Sequence, residues 1–174
     1  MGLLLIEQAF NGLQFGVMLF LIAAGLTLVF GIMDLVNLSH GSLVMVGAYL
    51  ATTLIEWTGS FILGILLALP STFLVGVAVE VVVLRTLYER DHLDQVLATF
   101  GLILFFNELI RIVWGPASLY SGLPESISGH VEILPGVPYP AFRLLIILVG
   151  LLVALVIYFI VARTKLGMLI RAGA

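Results

Sequence analysis

Two short stretches of this sequence set polar side chains among apolar ones. The first reads Asn37-Leu-Ser39-His40-Gly41-Ser42, preceded by Asp34 and followed by the apolar run Leu43 to Ile55. Asn and Ser are residue types that cap helix N-termini, and Gly41 loosens the backbone. A helix that starts there inside a membrane holds unpaired N–H groups and a positive dipole end at depth. Such backbone is tolerated only inside protein or against water, and transporters use broken helices of this kind at substrate sites. A cytoplasmic turn over 34–42, with an ordinary helix from Ser39 onward, fits the same residues. His40 by itself is the kind of residue found packed or at an interface as well as in a proton relay.

The second stretch is Asn107-Glu108-Leu-Ile-Arg111. Glu108 and Arg111 are three apart, share a helix face and can pair. Glu108 lies six residues before Trp114, about 9 Å inside the interface that a Trp marks. A charge at the centre of a membrane helix costs roughly 2.5–3.5 kcal/mol, and pairing or snorkelling relieves it. A structural ion pair and a titrating transport residue are both compatible with this spacing. Glu80 has a similar position near the end of its apolar run.

No other chemistry is written in the chain. There is no phosphate-binding Gly-x-x-x-x-Gly-Lys-Ser/Thr loop, no His-Glu-x-x-His and no Gly-x-Ser-x-Gly. Cysteine is absent, which removes disulfides, thiolate nucleophiles and Cys metal sites. Ser39, His40 and Ser42 are sequence neighbours, but no carboxylate is placed to orient the histidine. The chain is therefore expected to have no catalytic residues, metal or cofactor, and not to be an enzyme.

The elements that hold these residues follow from the scarcity of charge. Of 174 residues, 62% are hydrophobic and only 10% charged, and the mean hydropathy is +1.27. Seventeen charged side chains cannot coat a soluble globule, and a basic nucleic-acid surface is excluded with it. The composition belongs to a polytopic membrane protein whose partner is the lipid bilayer. Uncharged runs of 26, 21 and 23 residues lie between Glu7, Asp34, Glu56 and Glu80, and 144–162 adds 19 more. About 20 apolar residues cross a bilayer. The fold expected is all-α, a single membrane domain over 1–174. Its five segments run at about 10–33, 38–55, 58–82, 95–114 and 144–162, the second interrupted near 34–42.

Arg85, Arg90, Arg163, Lys165 and Arg171 fall on one side in that arrangement, and only Arg143 on the other. Basic loops stay cytoplasmic. The N-terminus is then outside and the residue 174 end inside, with Trp57 and Trp114 at the outer interface. Five of the six prolines crowd into 115–143, which reads as an irregular external loop. Pro70 is expected to kink the third segment. Gly12 with Gly16, and Gly150 with Ala154, have the spacing that lets membrane helices approach closely.

The run Gly25-Leu-Thr-Leu-Val-Phe-Gly-Ile-Met-Asp-Leu-Val-Asn37-Leu-Ser39-His40-Gly41-Ser42, continuing to Gly47-Ala48-Tyr49, resembles the LivH-type permeases. These are inner-membrane subunits of bacterial ABC importers for branched-chain amino acids. Leu97-Ala-Thr-Phe-Gly-Leu with Glu108, Trp114 and Gly115, and Thr164-Lys-Leu-Gly-Met-Leu-Ile-Arg171-Ala172, look similar too. The resemblance implies half of a translocation pathway, with Asn37, Ser39, His40, Gly41 and Ser42 lining it. It implies a second related permease, two cytoplasmic ATPase subunits and a periplasmic substrate-binding protein as partners. Thr164, Lys165, Gly167, Arg171 and Ala172 would begin the cytoplasmic segment, 163–174, that docks on an ATPase. Family members continue past Ala174, so the resemblance covers the N-terminal part of a permease. Two other readings use the same residues. A channel or ion-coupled carrier without ATPases would titrate Glu108 and His40, and an intramembrane hydrolase would use Ser39 or Ser42.

Overall fold

The computed structural model describes residues 2–33, 35–120, 122–124, 127–134, 137–165 and 167–168. Five helices carry nearly all of it: α1 (Gly2–Met33), α2 (His40–Thr58), α3 (Phe61–Val82), α4 (His92–Trp114) and α5 (Ala141–Arg163). A 3-10 turn, Leu84–Leu87, follows α3. Strands β1 (His130–Leu134) and β2 (Val137–Pro140) precede α5. Among the described residues, four stretches are long and apolar enough to cross a membrane: Leu4–Phe30, Phe61–Leu87, His92–Trp114 and Ala141–Arg163. α2 is not among them. Its 19 residues include His40, Ser42, Thr52, Thr53 and Glu56, which dilute its apolar character. Large apolar side chains such as Leu66, Phe73, Leu148 and Leu155 are exposed along the helices, as in a chain whose solvent is lipid rather than water. The protein is an all-α membrane protein with one small hairpin.

The chain divides into two compact units. The unit formed by α2, α3, the 3-10 turn and α4 has the polar stretch at its start. α2 and α3 make a tight antiparallel pair. Gly59 ends α2 with φ 63°, a left-handed conformation that glycine adopts without a Cβ clash. Ser60 then caps α3, its side chain accepting from the Leu63 N–H at 3.5 Å. Further along, a Cβ on Gly64 would strike the backbone of Ile55, and one on Gly47 would lie 3.2 Å from Thr72 Cγ2. The pair is this close because those two positions have no side chain. α3 continues as a helix through Pro70. α4 packs alongside α2 in the same direction. Near its end, the Trp114 indole N–H donates to Thr53 Oγ1 at 2.7 Å, and its ring meets Tyr49 at 5.4 Å. Leu35, Val46, Val79, Leu84, Leu102 and Phe106 are the centre of the buried apolar cluster.

In the other unit α1 and α5 run parallel. Arg143 Nη1 donates to Asn11 Oδ1 at 2.7 Å, and about two turns on Gly150 sits against Val17 and Leu21. Gly12 and Gly16, by contrast, face open space, so of the three glycines in the expected small-residue pairs Gly150 is the one that makes a close approach. The stretch 115–143 is less irregular than its prolines imply. It contains the antiparallel hairpin, with His130 opposite Pro140, Val131 opposite Tyr139 and a bulge between Glu132 and Leu134. Pro138 and Pro140 are tolerated because a two-stranded sheet consists of edges. Tyr139 is fully buried. Its hydroxyl donates to Asn11 Oδ1 at 3.1 Å and its ring packs on Phe10 at 5.6 Å.

Candidate functional site

The polar connection before α2 is a built structure, not a slack turn. Asn37 Oδ1 accepts from the Ser39 N–H at 3.0 Å and from the Ser39 hydroxyl at 2.7 Å. This is a side-chain mimic of a backbone turn, the local alternative that Asn offers to helix. Ser39 occupies the N-cap position of α2, yet its side chain makes no capping bond. Its carbonyl instead starts the helix, accepting from Ser42 N–H at 3.0 Å and Leu43 N–H at 3.1 Å. Asn37, Ser39 and Ser42 are buried, His40 is half-buried, and Gly41 is exposed. Of the five expected pathway residues the fold thus brings three inward and turns Gly41 out, with open space where its Cβ would be. Asp34 lies outside the described residues.

Two residues that sequence reasoning did not single out hold this connection. Gln95 Oε1 accepts from the Val36 N–H at 3.1 Å. Thr99 Oγ1 lies 3.4 Å from the Val36 carbonyl and donates to Gln95 O at 2.8 Å. Gln95 and Thr99 are 3% and 0% exposed, on the first two turns of α4. Their signal in the sequence was a Gln and a Thr one helical turn apart at the start of an apolar run, a pair that shares one face. Without Gln95 the half-buried Val36 N–H would lose its partner, at a cost of at most about 1–3 kcal/mol.

The connection is recessed. The Gly64–Ile55 and Gly47–Thr72 approaches, continued down the pair, bring His40 level with Val79, one turn short of the end of α3 at Val82. Val36 lies at the level of the first two turns of α4, and Leu35 is buried in the same apolar cluster as Leu84 and Leu87. The start of α2 thus lies about one helical turn inside the end of α3.

From Gly41 an exposed strip continues along α2 through Val44 and Ala48, positions on one helix face. It ends at a recess of about 230 Å³ lined by Ala48, Tyr49, Thr52, Ser118 and Leu119. Tyr49 is fixed there by Trp114 and by the Thr53 hydroxyl, which donates to the Tyr49 carbonyl at 2.9 Å. The strip contains no charged side chain.

Glu108 and Arg111 approach to 3.9 Å with side chains 66% and 68% exposed. They project from the face of α4 opposite Leu102, Phe106 and Ile110, which are buried. Glu80 accepts from the Tyr88 hydroxyl at 3.0 Å and pairs with Arg85 at 3.5 Å. Burial, helped by the hydrogen bond to that carboxylate and its charge, pushes the Tyr88 phenol above its ordinary value. Past α5, Thr164 Oγ1 donates to the Ile160 carbonyl at 2.5 Å and accepts from the Gly167 N–H at 3.3 Å. Gly167 lies against the Val161 and Ile160 carbonyls, where no Cβ fits, and Lys165 is exposed. Arg171 and Ala172 lie outside the described residues. Among the described residues no cluster of His, Asp or Glu could hold a metal.

A family model described as "Branched-chain amino acid transport system / permease component" matches residues 8–174. The high-affinity branched-chain amino acid transport system permease protein BraD of Pseudomonas aeruginosa is 29% identical over 182 residues, covering 97% of this chain and 59% of that protein. The permease protein LivH of the corresponding Escherichia coli system is 27% identical over 141 residues, covering 73% of this chain and 45% of LivH. A probable LivH of Methanocaldococcus jannaschii is 29% identical over 171 residues, 90% of this chain and 50% of that protein. The chain spans about half the length of these curated relatives. No solved structure matches it.

Proposed function

This chain belongs to the family of branched-chain amino acid transport permease components, and from that membership we propose that it supplies one half of the translocation pathway of an ABC importer. The solutes carried are branched-chain amino acids or similarly small molecules. The membrane is the bacterial inner membrane. ATP is hydrolysed by two cytoplasmic ATPase subunits, a second related permease completes the pathway, and a periplasmic protein delivers the solute. The chain contributes a path, not a reaction. The alternative of a carrier that titrates Glu108 and His40 without ATPases is not favoured by the relatives.

The pathway segment is Asn37 to Ser42 and the strip of α2 that follows. One observation carries this. The connection is buried and bonded on its inner side, yet Gly41, Val44 and Ala48 are left exposed on an uncharged face. α2 is also too polar to be one of the four lipid-suited stretches, which fits a helix that faces protein and water. Its crossing is supported by the parallel run of α1 and α5. Two parallel spans of one chain are separated by an odd number of crossings, and α2, α3 and α4 supply three. In this topology the N-terminus and the hairpin are outside. The 83–91 segment is cytoplasmic, with Arg85 and Arg90, and so are Thr164, Lys165, Gly167, Arg171 and Ala172, the start of the ATPase-docking segment.

The test is leucine uptake by the full-length permease with its partner subunits, carrying Gly41→Phe. A side chain at Gly41 meets open space, so membrane abundance is expected to stay normal while uptake falls at least about tenfold. Wild-type uptake would sink the assignment.

A further inference from the structure

One buried amide ties the loop after α3 to the connection before α2. Gln95 Nε2 donates to the Leu87 carbonyl and to the Arg90 carbonyl, each at 3.2 Å. Its Oε1 accepts from the Val36 N–H at 3.1 Å, with His92 Nδ1 at 3.4 Å from the same oxygen. A primary amide has two N–H donors and one carbonyl acceptor. All of them are engaged, and the backbone groups they hold belong to two different segments. Among the described residues no backbone–backbone hydrogen bond joins 35–39 to 84–91. Leu35 touches the same apolar cluster as Leu84 and Leu87, but apolar packing lets surfaces slide, whereas three directed bonds on one side chain set a distance.

Thr99 has a different task. Its hydroxyl lies 3.4 Å from the Val36 carbonyl while donating to the Gln95 carbonyl of its own helix, and it reaches no part of the 84–91 loop. Removal of Gln95 would therefore leave the connection braced on α4 by Thr99 and by the burial of Leu35, and would release it from the loop. No other proteinogenic side chain of this length offers two donors and an acceptor. An ionised Glu keeps the acceptor for Val36 and loses both donors, and Met loses all three.

We propose that Gln95 is a positioning residue for transport: it makes the 87–90 loop and the 35–39 connection move as one piece, so that displacement of the loop shifts the start of α2 and the strip that Gly41 begins. This rests on the pathway reading above and on the cytoplasmic placement of 83–91, the side on which ATPases would push. Transport then depends on this side chain for coupling rather than for binding.

The experiment uses the full-length permease reconstituted with its partner subunits in proteoliposomes, with leucine uptake and ATP hydrolysis measured on the same sample. Gln95→Met and Gln95→Glu are each expected to keep membrane abundance and ATP hydrolysis while uptake per ATP falls about tenfold, the size of a coupling change when a linking side chain is removed. Thr99→Ser, which keeps the hydroxyl, is expected to leave that ratio unchanged. A wild-type ratio in both Gln95 variants, a proportional fall of uptake and hydrolysis, or loss of both variants from the membrane would each overturn the proposal, the last two by showing a merely structural bond. Gly41→Phe separates the two levels. If it blocks uptake while the Gln95 variants keep a normal ratio, the tie is wrong and the pathway stands. If it transports normally, the pathway reading fails by itself.

Discussion

Asn37 does the work that a longer loop would otherwise do. Its side-chain oxygen takes both the N–H and the hydroxyl of Ser39, which turns the chain into α2 within two residues and leaves Ser39 with no outward polar atom. Asn37→Leu removes that acceptor and buries the Ser39 donors without partners, at about 1–3 kcal/mol each. The expected outcome is a lower melting temperature in detergent and less protein in the membrane, which separates it from Gly41→Phe, where abundance holds. An unchanged melting temperature would show that the Asx turn is dispensable. The chemistry of the stretch was legible from residue types: Asn, Ser and Gly before an apolar run announce a helix start. Which of them face inward was not. A period of 3.6 residues applies only once a helix has begun, and in the extended connection ahead of it burial is decided by the α4 residues it meets.

At the scale of the helices, two glycines of one helix make opposite predictions. A side chain on Gly64 would collide with the Ile55 backbone, while one on Gly76 would meet nothing within 4 Å. Gly64→Leu must therefore part α2 from α3, costing more than about 3 kcal/mol. Gly76→Ala is expected to raise stability by up to about 1 kcal/mol, because it replaces a helical glycine without a clash. Thermal unfolding of the two variants in detergent checks both, and equal effects would contradict the packing. The lengths of the helices could be read from uncharged runs, since a bilayer sets a length that charge cannot interrupt cheaply. The hairpin could not. Its strands are short, proline-bearing and stabilised by Tyr139 reaching Asn11, a partner 128 residues away.

For the whole chain, topology is the property to test. The chain has no cysteine of its own, so a single one introduced at Glu89 or at Glu132 reports its side without background, provided the remainder of the full-length protein is also cysteine-free. Cysteine at Glu132, in the hairpin, is expected to react with a membrane-impermeant maleimide added to spheroplasts. Cysteine at Glu89 is expected to react only after the membrane is opened. The reverse pattern would invert the orientation, and labelling of both from one side would remove α4, the helix between them, as a crossing.

Composition and charge placement alone determined that this is a helical membrane protein, where its apolar segments lie and which residues break their uniformity. Those properties are local or additive, because transfer of a segment into lipid sums over its own side chains. The resemblance carried by Gly25 to Tyr49 added the family, which the match over 8–174 bears out. Only the tertiary structure decided that Gln95 and Thr99 hold the connection, that Asn37 and Ser39 are sealed while Gly41 is open, and that α1 and α5 run parallel. Each of these depends on residues far apart in the chain meeting at hydrogen-bond or van der Waals distance, and no spacing along the sequence contains that distance.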